Sequence, residues 1–231
     1  MNAHTDSNQT RRPRALVLSG AGRYADPWHP FAQTSSRIAD ELRDVHFDVE
    51  VSEDVDRQLA DLATTTGVDL LVINVGNPGE LDPADATARA GLLAHLGRSG
   101  AVLAMHVSAT SFPGIPEWEA ILGGIWVRGT TMHPDVDLAQ IAVHPQRHAI
   151  VAPLHDFEIF DERYSYMRVA DDMVPLASHR YESIEHPLLW AHEYGSARVV
   201  FDALGHDARS FESPEHREII QRSALWLTGR L

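Results

Sequence analysis

Two residue types are missing outright. The 231 residues contain no cysteine, which excludes disulfides, thiolate nucleophiles and cysteine-based metal centres. There is no lysine either, all 19 basic residues being arginine, so neither a Schiff base nor a P-loop can form. Positive charge as a whole is scarce. The formal net charge of −14 opposes binding to phosphate backbones and anionic lipid, so neither a nucleic-acid nor a membrane partner is expected. No stretch approaches the roughly 18 apolar residues of a membrane span. The first apolar run, ALVLSG, falls short of the about 7–15 residues of a signal-peptide core. With no cysteine to protect, the expected location is the cytoplasm.

What is present is a globular composition, 44% hydrophobic and 23% charged, on a chain long enough to bury a full core. Residues 1–13 are polar and read as a disordered tail, with residues 14–231 as a single domain. Residues 15–20 form a short apolar run that ends at Gly20 and Gly22, a strand entering a loop. Apolar residues at helical spacing follow over 30–43, and alternation over 47–51 predicts a strand. Residues 69–75 are a continuous β-branched run, the mark of a strand covered on both faces. Residues 85–96 read as a helix with Pro83 near its start and Gly97 at its end. Residues 100–105 are the next buried strand. Strands alternating with helices at this spacing predict an α/β fold, a mostly parallel central sheet with helices on both faces. After residue 110 the elements shorten, until a buried strand over 198–204 and an amphipathic helix over 214–227.

Histidine is abundant, with fourteen in the chain. The most telling is His106, directly after the run Ala101-Val102-Leu103-Ala104-Met105, where many α/β enzymes display a nucleophile on a sharp turn. In an open α/β sheet, ligands bind beyond the carboxyl ends of the strands. The first strand leads there to His29, the strand over 100–105 to His106, and the late strand to His206. Asp161, Glu162 and Tyr164 follow another candidate strand. Carboxylates near two imidazoles suit either acid/base work or a divalent metal such as zinc, with His106 and His206 as ligands. His133 lies within reach of the same edge, and Trp190 offers a face for a sugar. Gly20-x-Gly22 lacks the third glycine of a dinucleotide fingerprint.

Taken in order, these segments resemble the ThuA-like (trehalose utilisation) family of the class I glutamine amidotransferase-like superfamily. The likeness is carried by Ser99-Gly100 through His106, Trp118 with Gly123-Gly124, His133-Pro134 and His144-Pro145. It continues through Asp161-Glu162-Arg163-Tyr164, Pro187, Trp190 and Leu204-Gly205-His206. It implies a flavodoxin-like three-layer fold and a role in disaccharide or keto-sugar metabolism. It also implies that His106, Glu162, His206 and Tyr164 are the catalytic residues, with His29, His133, Asp161 and Trp190 around the substrate. Two loops depart from the family pattern. Residues 195–197 lack the usual glycine-basic-glycine turn, and the loop over 23–30 is longer than usual. Glutamine-hydrolysing chemistry is excluded, because the attacking thiol is absent. The expected partner is a small-molecule sugar. A homodimer, a place as a non-catalytic binding subunit beside a dehydrogenase, and a metal-dependent hydrolase are the alternatives.

Overall fold

The computed structural model describes residues 11–231; most of the expected tail, 1–10, lies outside the described residues. The buried runs become the centre of the sheet. β1 (Arg14–Ser19), β3 (Leu70–Asn74) and β4 (Ala101–Met105) pair in parallel, with β2 (Asp48–Ser52) beyond β1 and β11 (Ala197–Asp202) beyond β4. Every residue of β3 and β4 is buried, as expected of strands sandwiched between helix layers. α1 (Phe31–Asp44) packs with α5 (Pro214–Leu227), and α2 (Val55–Asp61) packs with α3 (Ala84–Gly97). The order β2-β1-β3-β4-β11 is that of a flavodoxin-like sheet. Contact between α2 and α3 depends on Gly91, where a Cβ would sit 1.7 Å from the Leu59 carbonyl oxygen.

The second half continues the same sheet with reversed sense. β9 (Val174–Tyr181) and β10 (Ile184–Tyr194) form a hairpin beside β11, and β6 (Asp137–Val143) and β7 (Phe157–Asp161) extend it. The nine-stranded sheet is therefore mixed, parallel through β11 and antiparallel beyond. β7 is four places from β11, yet Asp161 at its end accepts an N–H from Gly205 beyond β11 at 2.8 Å. The antiparallel half thus curls over the carboxyl edge of the parallel half. α4 (Trp118–Leu122) is closed by Gly123 in the left-handed conformation, and a small ladder of β5 (Gly124–Ile125) with β8 (Arg168–Val169) covers its end.

The start of α5 is held by a buried polar chain. Ser213 caps it by accepting from the His216 N–H at 3.2 Å. The His216 ring then bridges Ser210 Oγ at 2.8 Å and Asp202 Oδ2 at 3.1 Å. Burial disfavours a charged ring there, but the Asp202 carboxylate outweighs it and the His216 pKa is raised. A raised folded pKa gives stabilisation that is full below the unfolded value of about 6.5 and fades as pH climbs through the folded value. The margin of the wild type over His216→Gln in urea midpoint will therefore be wider at about pH 6 than at about pH 9. Equal margins would contradict a charged His216.

Candidate functional site

The strands deliver their side chains to one point. β4 passes straight into a 3-10 turn, His106–Thr110, and His106 itself takes φ 43°, a left-handed conformation rare outside glycine. This elbow holds the imidazole buried at the sheet edge. His106 Nδ1 lies 2.6 Å from the Ala203 carbonyl oxygen. A carbonyl only accepts, so Nδ1 donates to it and Nε2 is the ring atom turned toward Glu162.

His29 arrives from the loop after β1 and is held in the same way. Its Nδ1 is 2.8 Å from both oxygens of Asp26. Asp26 Oδ1 also accepts the Trp28 and His29 backbone N–H groups, each at 2.9 Å. His29 Nε2 is thereby aimed inward. Carboxylate or carbonyl partners on the far ring nitrogen are how proteins orient metal-binding imidazoles.

Glu162 and His206 are fixed by a single neighbour. Asp161 accepts from the backbone N–H groups of Glu162 at 2.8 Å, Gly205 at 2.8 Å and His206 at 3.1 Å. One carboxylate thus clips the end of β7 to the loop after β11. Glu162 then sits 3.3 Å from His106 Nε2, 3.4 Å from His206 Nδ1 and 3.5 Å from His133 Nδ1.

The ligand-type atoms of His29, His106, Glu162 and His206 all lie within 4.8 Å of one another. Despite that crowding, His29 Nε2, His106 Nε2 and His206 Nδ1 are buried without a hydrogen-bond partner. His106 Nε2 and His206 Nδ1 approach Glu162 at ion-pair distance without making a hydrogen bond to it. Three imidazoles and one carboxylate gathered this closely match the donor set of a divalent transition metal.

The charges of the cluster act on one another. Burial, helped by the neighbouring His106, pushes His29 down to about 4, so its lone pair is free at neutral pH. Burial alone would raise the Glu162 carboxyl, but the imidazoles of His106 and His206 outweigh it and hold it far below the usual range. His206 is raised, because the Glu162 carboxylate overcomes the cost of its burial. Tyr164, buried and facing the Glu162 and Asp161 carboxylates, is pushed well above the ordinary phenol range and stays protonated.

The centre opens into a cavity of about 420 Å³ lined by Trp28, Trp126, His133 and Tyr164 together with His29, Glu162 and His206. The Tyr164 ring lies 4.6 Å from that of His106 and 4.8 Å from that of Trp126. His133 keeps 40% of its side chain exposed at the cavity mouth. Another cavity of about 460 Å³, around His148, His192 and Trp226, gathers no comparable donor set among the described residues.

Six of the eight residues expected at the site line this cavity or its floor: His29, His106, His133, Glu162, Tyr164 and His206. Two lie outside its lining. Trp190 is 0% exposed; its ring packs 4.4 Å from Phe201 and its Nε1–H donates to the Leu122 carbonyl at 2.8 Å. Asp161 is buried with its oxygens engaged by backbone N–H groups, so it positions neighbours instead of binding ligand. Replacing Trp190 by Phe will orphan the buried Leu122 carbonyl and cost about 1–3 kcal/mol in urea unfolding, with metal content unchanged. A drop in metal content instead would return Trp190 to the site. Sequence pattern does not single out Asp26, Trp126 or the Ala203 carbonyl. The spacing Asp26-x-Trp28-His29, an aspartate two and three residues ahead of its backbone donors, is the one sequence signal that points to any of them.

The model of the family described as ThuA, trehalose utilisation, matches residues 14–227. The chain belongs to the ThuA family. Among solved structures, a ThuA-like protein from Parabacteroides merdae superposes with a TM-score of 0.77 at 18% identity, covering 94% of this chain and 90% of that one. A ThuA-like protein from Bacteroides uniformis gives 0.75 at 14% identity, covering 96% and 94%. A glutamine amidotransferase from Thermotoga maritima gives 0.50 at 10% identity, covering 84% and 76%. These likenesses establish the fold that this ThuA protein shares with the amidotransferases. No curated protein matches the sequence. No helix among the described residues is long and apolar enough to cross a membrane.

Proposed function

We propose that this ThuA-family protein is a metal-dependent enzyme of carbohydrate metabolism, acting on a sugar or keto-sugar in the cleft above His106. The observation that carries the reading is the set of three buried, unpartnered imidazole nitrogens around the Glu162 carboxylate. His29 Nε2, His106 Nε2, His206 Nδ1 and a Glu162 oxygen would hold a divalent ion such as zinc or manganese. Such an ion polarises a carbonyl or hydroxyl oxygen and makes its protons easier to remove.

The chain's own residues supply the rest. Tyr164 remains a neutral phenol at neutral pH and can donate a hydrogen bond to a substrate oxygen in the cavity. His133, at the mouth and 3.5 Å from Glu162, can exchange protons between cavity and solvent. The family's description as trehalose utilisation and a lining of imidazoles, a carboxylate and a phenol that can hydrogen-bond hydroxyls support a sugar as the small-molecule partner. The net charge of −14 supports a protein that binds neither nucleic acid nor membrane. Location in the cytoplasm is part of the same proposal.

Turnover of a panel of aldoses, ketoses and disaccharides tests the reading. Activity will vanish after treatment with a chelator and return with manganese or zinc. Turnover that persists in metal-free protein would overturn the metal role. Ligand-dependent thermal stabilisation without any turnover would favour a binding subunit of an oxidoreductase complex.

A further inference from the structure

We propose that Trp28 is the sugar platform of this cleft, its indole taking the C–H face of a pyranose ring whose oxygens reach the cluster below. The assignment rests on the sugar reading above and adds to it a residue that selects ring-shaped substrates.

Trp28 is 72% exposed, whereas tryptophan is on average a highly buried residue. Trp118 and Trp190 are fully buried and Trp126 and Trp226 partly so, which leaves Trp28 as the one indole standing in solvent among the five. It lines the same cavity as His29, Glu162 and His206. Its backbone is fixed, because the Trp28 N–H donates to Asp26 Oδ1 at 2.9 Å. The same carboxylate holds His29 Nδ1 at 2.8 Å. The indole is thus anchored one residue from a cluster histidine while its face stays open.

The chemistry of the cavity matches a neutral polyhydroxylated ring. Its floor offers imidazoles and a carboxylate, and its lip offers the aromatic faces of Trp28 and Trp126. A pyranose has the complementary build, with hydroxyl edges and a C–H face that an electron-rich indole attracts.

The test uses manganese-loaded full-length protein with glucose and trehalose as ring probes and glycerol as a ringless one. In the wild type, the ring sugars will quench and blue-shift the tryptophan emission as the exposed indole is covered. Trp28→Ala will raise the Kd for both sugars about tenfold and abolish the spectral shift, while metal content and glycerol binding stay unchanged. Trp28→Phe, which keeps a flat ring, will recover most of the affinity. Unchanged sugar affinity in Trp28→Ala would overturn the platform and leave the sugar reading intact. If the wild type binds none of the probes while holding its metal, the sugar reading fails and the platform with it. If Trp28→Ala instead converts a dimer to a monomer in sedimentation velocity without affecting sugar affinity, Trp28 is an interface residue and the proposal is wrong.

Discussion

Replacing Glu162 by glutamine will empty the proposed metal centre. The amide keeps the shape of the side chain but removes the only negative charge among the four ligand groups His29, His106, Glu162 and His206. Three neutral imidazoles alone bind a divalent ion less well, and the amide nitrogen turns a lone pair into a donor. Affinity will fall on the order of 100-fold or more, and purified Glu162→Gln will carry less than about a tenth of an ion per chain. His106→Ala will do the same, because its Nε2 is the most deeply fixed of the ligands. Asp26→Asn will have a graded effect, about 10- to 100-fold, since it touches the ion only through His29. His133→Ala, exposed at the mouth, will keep the metal. Inductively coupled plasma mass spectrometry on the four variants reads all of this. Full occupancy in Glu162→Gln would remove that residue from the centre.

Replacing Asp161 by alanine will damage stability and site together. Its carboxylate satisfies three backbone N–H groups, those of Glu162, Gly205 and His206. Alanine leaves these donors buried and unpaired, at about 1–3 kcal/mol for each that water cannot reach, so a total loss of about 3 kcal/mol or more is expected. The same change frees the end of β7 from the loop after β11 and lets Glu162 and His206 drift apart. The urea midpoint and metal content will therefore fall in parallel. Asp161→Asn, which keeps one oxygen as acceptor, will be milder on both counts. An Asp161→Ala protein that unfolds with the wild-type midpoint would show that the clip is unnecessary.

The parts of this protein that could be read from its sequence are those set by local pattern. β3 and β4 announce themselves as unbroken apolar runs, and α5 by its Ser213-Pro214 start and apolar stripe. His106 stands out because it ends such a run. The antiparallel half is different. Pairing of β6 with β9 joins residues over thirty positions apart, and no periodicity encodes a partner. The curl that brings Asp161 to Gly205 is invisible for the same reason. Asp161 and Glu162 could be singled out as a pair, but neighbours at the end of a strand point opposite ways, and sequence does not say which one faces the cleft. Trp190 shows the same ambiguity, since alternation along β10 leaves open which face is core. Asp26 acts through hydrogen bonds to a loop whose shape exists only once His29 is placed.

The central claim is that the four-residue cluster holds a divalent ion. The most direct test is the metal content of wild-type protein purified without chelator or affinity metal, followed by absorption spectroscopy at the edge of whichever metal is found. The account predicts about one ion per chain with a first shell of three imidazole nitrogens and one carboxylate oxygen. Wild-type protein that stays metal-free after incubation with zinc, manganese and iron, with activity intact, would contradict it.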